Sequence, residues 1–199
     1  ISFSNEKAAI AESAGNISIG HAFKILHEDN RLRGAGIAHY IYPGCGYGGY
    51  CLPKDTAALI ENARGNGFEP KILREVVQLN ENMPCLAAEK IIRRTKSKSD
   101  RIGILGLSFK PNSDDVRDSS AAKIIKELLA KGYSDICVYD RVANKNFEKL
   151  YRLPVKYYAS KEEVCAACSV VALVTVWNEF REISKIYPDV EWVDCRYFL

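Results

Sequence analysis

Histidine is close to absent, with three in a chain of 199 residues, so a metal site built on imidazoles is not expected. No apolar run approaches the roughly 20 residues that a membrane-spanning helix needs, and no signal peptide opens the chain. An excess of one charge is missing too. Lys and Arg number 28 against 25 Asp and Glu, a net +3 with a pI near 8.4, too mild for a nucleic-acid surface. The one basic run, RRTKSK at 93–98, reads as a solvated helix end and linker. There is no internal repeat and no low-complexity stretch. What remains is an ordinary globular composition, 47% hydrophobic and 27% charged. A cytoplasmic protein with no membrane or nucleic-acid partner is the expectation.

Cysteine is present in an odd number, seven, scattered at 45, 51, 85, 137, 165, 168 and 195. That usage suits a reducing compartment, with most of them acting as small buried hydrophobes. Cys165 and Cys168 form a lone C-x-x-C in EVCAACSVVALV, without a second pair or nearby histidine, and read as packing before a strand. The chain begins at Ile1 in what reads as the middle of a helix, ISFSNEKAAIAESAG, with Phe3, Ile10, Ala11 and Ala14 on a small apolar face. A piece of a longer protein is expected.

The first half has a helical period: the opening helix, a short amphipathic one over 17–29, a glycine-rich loop from Arg31 to Leu52, and a helix beginning near Lys54 or Asp55. Helical spacing continues from Glu69 to about Thr95, where Pro84 either kinks one helix or starts another. After KSKSD the pattern changes. RIGILGLSF, DICVYD, LPVKYY, SVVALVTV and EWVDCR read as short strands alternating with helices, which predicts βαβ units and a parallel, Rossmann-like sheet. The expected organisation is a central helical domain over 1–96 and an α/β domain over 97–199. In such sheets ligands bind beyond the carboxyl ends of the strands. That rim should carry GLSFKPNSDDVRDS, Asp140, TVWNEF and DCRYF.

Residues 43–59, PGCGYGGYCLPKDTAAL, formally contain G-x-G-x-x-G at Gly44, Gly46 and Gly49. A dinucleotide fingerprint follows a strand, opens a helix and is answered by an acid at the end of a second strand. These glycines are expected to meet none of those conditions. Glycine instead permits close backbone approach beside Cys51, which lies just before a helix start. There the helix N–H groups and Lys54 favour a thiolate, and Asp55 is near enough to hold or deprotonate a water. Thiolate, cation and carboxylate within five residues make a nucleophilic site, although a cysteine in a glycine loop is more often structural.

GYGGYCLPKDTAAL followed by GILGLSFKPNSDDVRDS resembles the UDP-glucose 6-dehydrogenase family, within the wider UDP-glucose/GDP-mannose dehydrogenases. VYDRVA, TVWNEF and DCRYFL resemble later landmarks of that family in the right order. The resemblance implies the central dimerisation region and the C-terminal UDP-binding domain, with the NAD-binding domain and its residues lying upstream of Ile1. It implies oxidation of UDP-glucose at C6 to the acid in two hydride transfers to NAD, through a cysteine thiohemiacetal and thioester. By motif, Cys51 would be the nucleophile and Asp55 the carboxylate that activates water. Tyr40, Ile41, Tyr42, Pro43, Gly44 and Gly48 would form the substrate loop. Lys110 and Arg196 would contact the nucleotide sugar, and Lys54 and Arg117 the NAD. For Arg117 and Arg196 a salt bridge to Asp114, Asp115 or Asp194 is the plainer alternative.

The family's substrate arginine has two candidates here, Arg31 and Arg33, both further from Cys51 than expected. A homodimer through the helical region is implied, and the piece alone would not turn over. Dehydrogenation of another nucleotide sugar, GDP-mannose or a UDP-N-acetylhexosamine, and a non-catalytic nucleotide-sugar-binding module remain the alternatives.

Overall fold

The computed structural model describes residues 1–32 and 40–199. Its first half is helical: α1 (Ser2–Ala14), α2 (Ile19–His27), α3 (Cys51–Gly65) and α4 (Lys71–Ile92). Pro84 does not start a new helix. It lies buried inside the 22-residue α4, on the face that also buries Met83, Ala87, Ala88 and Ile91. Proline forfeits one intrahelical bond, a loss offset by packing of that face on the core.

The expected apolar face of α1 does not form. Phe3 and Ile10 are 69% and 54% exposed, and the buried positions are Ser2, Ser4, Asn5 and Ala8. The physical reason is what α1 packs on. Its inner face meets backbone, with Ser2 Oγ donating to the Val76 carbonyl and Asn5 accepting from Gly44 N–H, so polar groups are needed there.

The second half is a five-stranded sheet, β1 (Ile102–Leu105), β2 (Ile136–Tyr139), β3 (Lys156–Tyr157), β4 (Val170–Leu173) and β5 (Glu191–Asp194). All neighbours are parallel, in the order β3-β2-β1-β4-β5. The crossovers carry α5 (Ser120–Ala130), α6 (Asn144–Tyr151), α7 (Lys161–Ala167), and a 3-10 turn at Asn178–Phe180 followed by α8 (Ile183–Ile186). Four-residue apolar strands such as IGIL and VVAL, buried at every position, are what a sheet covered on both faces requires. One cover is α5, seated through Ile124, Ile125 and Leu128 in the same core cluster as Ala87, Ala88 and Ile91 of α4. The helical half is thereby joined to the sheet by a shared apolar core.

β1 and β4 are adjacent, but the chain leaves β1 toward β2 and returns to β4 from the other side. In sheets of this kind ligands bind at such a switch, beyond the carboxyl ends of the strands. There the loops are tied to one buried carboxylate, Asp140, 2% exposed. Its Oδ2 accepts from Leu107 N (2.7 Å), Ser108 N (3.1 Å), Ser108 Oγ (3.2 Å) and Trp177 Nε1 (3.2 Å), and its Oδ1 from Val142 N and Ala143 N. Thr175 Oγ1 donates to the Ser108 carbonyl. All four rim segments expected from the sequence follow strands β1, β2, β4 and β5 at this edge.

Candidate active site

The glycine loop of the helical half lies on the rim of the sheet. Gly49 N–H donates to the Arg117 carbonyl at 2.9 Å. A Cβ on Gly48 would overlap the Asp118 carbonyl oxygen, and one on Gly49 would meet the Phe109 ring. Glycine is therefore required by close approach of two backbones. The space a pyrophosphate would need beside these residues is filled by the β1–α5 loop. Among the described residues no strand precedes the glycines, so this segment does not fit a dinucleotide cradle. One expectation is corrected: the glycines do open a helix, because α3 begins at Cys51 and not at Lys54 or Asp55.

That earlier start changes the site. Cys51 is the first residue of α3, at the end where free N–H groups and the helix dipole favour negative charge. Asp55 is four residues on, one turn further along the same face, and not in the first turn. Lys54 Nζ pairs with Asp55 Oδ1 at 2.6 Å, which raises the lysine pKa; a Cys51 thiolate adds to that rise. Tyr50 is flanked by two cations, Lys54 Nζ at 5.2 Å and the Arg117 guanidinium at 4.7 Å from its ring. Arg117 also pairs with Asp115, Nε–Oδ1 3.0 Å and Nη2–Oδ2 2.7 Å. That bond holds the Asp115 carboxyl below its usual range. The plainer salt-bridge alternative is thus the one formed for Arg117.

Cys51 is exposed, Cys85 half-buried and the other five cysteines buried. The C-x-x-C pair is packing, as expected: burial pushes the Cys165 thiol up to about 11 and raises Cys168 as well.

At the other end of the loop, Arg196 lies against Gly44, where a Cβ would fall 2.5 Å from its Nη1. It does not pair with Asp194, whose oxygens accept the N–H groups of Arg196, Phe198 and Leu199 instead. Among the described residues, Arg196 Nε is buried without a partner, as is Nδ2 of Asn5, whose Oδ1 holds Gly44 N–H. Two unanswered donors therefore flank Gly44. Lys110 is exposed and lies 5.4 Å above the Phe109 ring, with no ion pair among the described residues.

Of the expected substrate loop, Tyr40 is exposed and its carbonyl accepts from the Ile1 amine. The Ile41 carbonyl meets His27 Nε2 at 2.7 Å, and Tyr42 OH donates to the Tyr197 carbonyl at 2.7 Å. Pro43 and Gly44 are buried. Arg31 is engaged with its neighbour Asp29, whose carboxyl it lowers to about 2; Arg33 lies outside the described residues. Two hollows among the described residues, of about 580 and 920 Å³, lie between α3, α4 and the start of α5 and between α1 and α4; neither includes Cys51, Lys110 or Arg196. The cysteine face is open.

A parallel, Rossmann-like five-stranded sheet, with a glycine loop from a helical half docked on the rim at its carboxyl ends and leading into Cys51, defines the class as α/β. The chain belongs to the UDP-glucose/GDP-mannose dehydrogenase family. The sequence models of that family's central domain and UDP binding domain match residues 1–82 and 103–199. UDP-glucose 6-dehydrogenase AglM of Haloferax volcanii is 34% identical over 181 residues, covering 90% of this chain and 40% of the relative. A UDP-glucose dehydrogenase from Pyrobaculum islandicum superposes on the whole chain with a TM-score of 0.85 at 30% identity, over 44% of its own length. A GDP-mannose dehydrogenase from Pseudomonas aeruginosa gives 0.70 at 28% identity, over 98% of this chain and 45% of that one. The chain thus spans about two fifths of the length of such relatives.

Proposed function

We propose that this chain is the substrate-binding and cysteine-bearing part of an NAD-dependent UDP-glucose 6-dehydrogenase. The observation that carries the reading is the position of the loop, stretched over the sheet rim between two cations. Arg196 touches it at Gly44, and Lys110 follows the Phe109 that packs on Gly49. A diphosphate at the rim would be met by Lys110, and an acceptor group beside Gly44 by the unpartnered donors of Arg196 and Asn5. The sugar would then extend along the loop toward Cys51.

Cys51 adds through its sulfur to a C6 aldehyde to give a thiohemiacetal, at the start of α3 and beside Lys54 and Arg117. Once that carbon reaches the thioester level, Asp55 holds and deprotonates the water that opens it, and the thiolate leaves. The oxidation itself needs the dinucleotide, which the described residues do not cradle; Lys54 and Arg117 are proposed to reach it from the open face. Pairing of two copies through the helical half, and division of the chain near 96/97, belong to the same proposal. Exposed Phe3 and Ile72 along the groove between α1 and α4 support the pairing.

The test uses the 199-residue chain itself: it should bind UDP-glucose in calorimetry and reduce no NAD. Turnover abolished by Cys51→Ala would mean that the cofactor site has been misplaced. No binding of UDP-glucose would remove the substrate reading, and tighter binding of GDP-mannose would favour the sibling activity.

A further inference from the structure

Two buried asparagines hold the glycine loop from two helices. Asn5 on α1, 1% exposed, accepts Gly44 N–H at 2.8 Å. Asn80 on α4, 6% exposed, accepts Tyr47 N–H at Oδ1 (2.7 Å) and donates from Nδ2 to the Tyr47 carbonyl (3.0 Å). One amide thus answers both backbone groups of one residue, the pairing a neighbouring strand would otherwise supply. The approach excludes any side chain between them. Gly46 has φ +92°, and a Cβ there would sit 2.8 Å from Asn80 Oδ1 and 3.3 Å from Met83 Cβ. Tyr47 is four residues before Cys51, and in those four the loop docks on the sheet rim and turns into α3.

We infer that Asn80 is a positioning residue: it fixes the Tyr47 backbone and, through it, the register in which the loop meets the nucleotide sugar and presents Cys51, with Asn5 as the second clamp. This rests on the substrate reading of the loop given above. Its chemistry makes a specific demand, one acceptor and one donor on the same short side chain. A protonated Asp at 80 meets that demand. An ionised Asp still accepts from Tyr47 N–H but turns an oxygen with no proton toward the Tyr47 carbonyl. The charged groups around the hollow that Asn80 lines are Glu61, Arg64, Arg74, Glu81, Asp118 and Lys123, with the phenol of Tyr47. His27, bonded to Ile41, faces the other end of the loop. Wild type measured at each pH controls for all of them.

Position 80 is 6% exposed, so burial lifts an Asp placed there above the ordinary value of about 3.9. UDP-glucose binding by calorimetry and hydrogen exchange of residues 44–50 are therefore compared for wild type, Asn80→Asp and Asn80→Leu at about pH 4 and about pH 9. Asn80→Asp should bind about tenfold more weakly than wild type, with loop amides exchanging about tenfold faster, at the higher pH. Both should return toward wild type at the lower pH, while β1 and β4 stay protected throughout. Asn80→Leu should be impaired at both. Should Asn80→Leu not fold, Asn80→Asp at the two pH values carries the test alone. The inference is overturned if Asn80→Asp follows wild type at both pH values, or if its deficit is the same at both. If wild type binds no UDP-glucose the substrate reading falls, and the exchange pattern alone then decides whether Asn80 sets the loop.

Discussion

In the sheet, Ile102, Ile104 and Leu105 of β1 and Val171, Ala172 and Leu173 of β4 are fully buried, and their backbone bonds run from strand to strand. Residues 41–49 have no such strand-to-strand ladder, although Pro43, Gly44, Cys45, Gly48 and Gly49 are buried. Their backbone is answered one group at a time by His27, Asn5, Asn80 and the Arg117 carbonyl. The first region draws its stability from apolar burial, which is non-directional and tolerant of side-chain choice. The second draws its shape from directional contacts, each of which fails outright when a partner is changed. The site proposed for this loop, which would hold a nucleophile at a set position while staying open to a ligand, belongs to the second kind.

The comparison breaks most visibly in the core. Phe147, fully buried on α6, should cost about 3–5 kcal/mol of stability when changed to Ala, while Cys51 in the remaining folded protein keeps its alkylation rate. Thermal unfolding read beside alkylation checks this. Next comes the carboxylate under the rim. Asp140→Asn would oppose an amide to several of the N–H groups now bonded there, at a cost of about 3 kcal/mol by denaturant titration.

Lys110→Ala sharpens the contrast from the other side. It should leave the melting temperature unchanged and weaken UDP binding by about 1.5–3 kcal/mol, the range for a charge-assisted bond. Arg117→Ala should weaken binding less, because that guanidinium is bound to Asp115 and is proposed to serve the dinucleotide. Equal losses in calorimetry would contradict the assignment.

The smallest effect is alkaline. Burial, then the charge of Glu179, raises the Tyr139 phenol to about 12, against about 10 in an unfolded chain. A raised pKa favours the neutral form in the fold, so this contribution is complete below about pH 10 and is lost as pH rises toward about 12. Tyr139→Phe should flatten the fall in stability over that window.

What could be read in the sequence follows the same division. Five short apolar runs separated by helical patterns gave the parallel sheet and its rim, because burial on both faces leaves a period that composition reveals. The placement of Cys51 beside a helix start, with Lys54 and Asp55 close by, was legible because their motif is contiguous. The inner face of α1 was not. Its Asn5 and Ser2 are buried for the sake of backbone that lies 39 and 74 residues away, and no local period announces that. Asn80 was missed for the same reason, since a polar residue within an amphipathic helix ordinarily marks the solvent side. The start of α3 was placed too late because Cys51 and Leu52 read as loop beside so many glycines. The early start is what sets Cys51 and Asp55 on one face.

Cys51 is the exposed cysteine among the described residues, and the loop that leads into it docks on the sheet rim. Limiting iodoacetamide with peptide mass spectrometry, in the presence and absence of saturating UDP-glucose, tests the proposed role of that placement most directly. The account predicts that Cys51 is labelled first, the half-buried Cys85 later and the five buried thiols last, and that UDP-glucose slows labelling of Cys51 without touching Cys85. Earlier labelling of Cys165 or Cys168, or a Cys51 rate indifferent to UDP-glucose while the sugar nucleotide is bound, would contradict it.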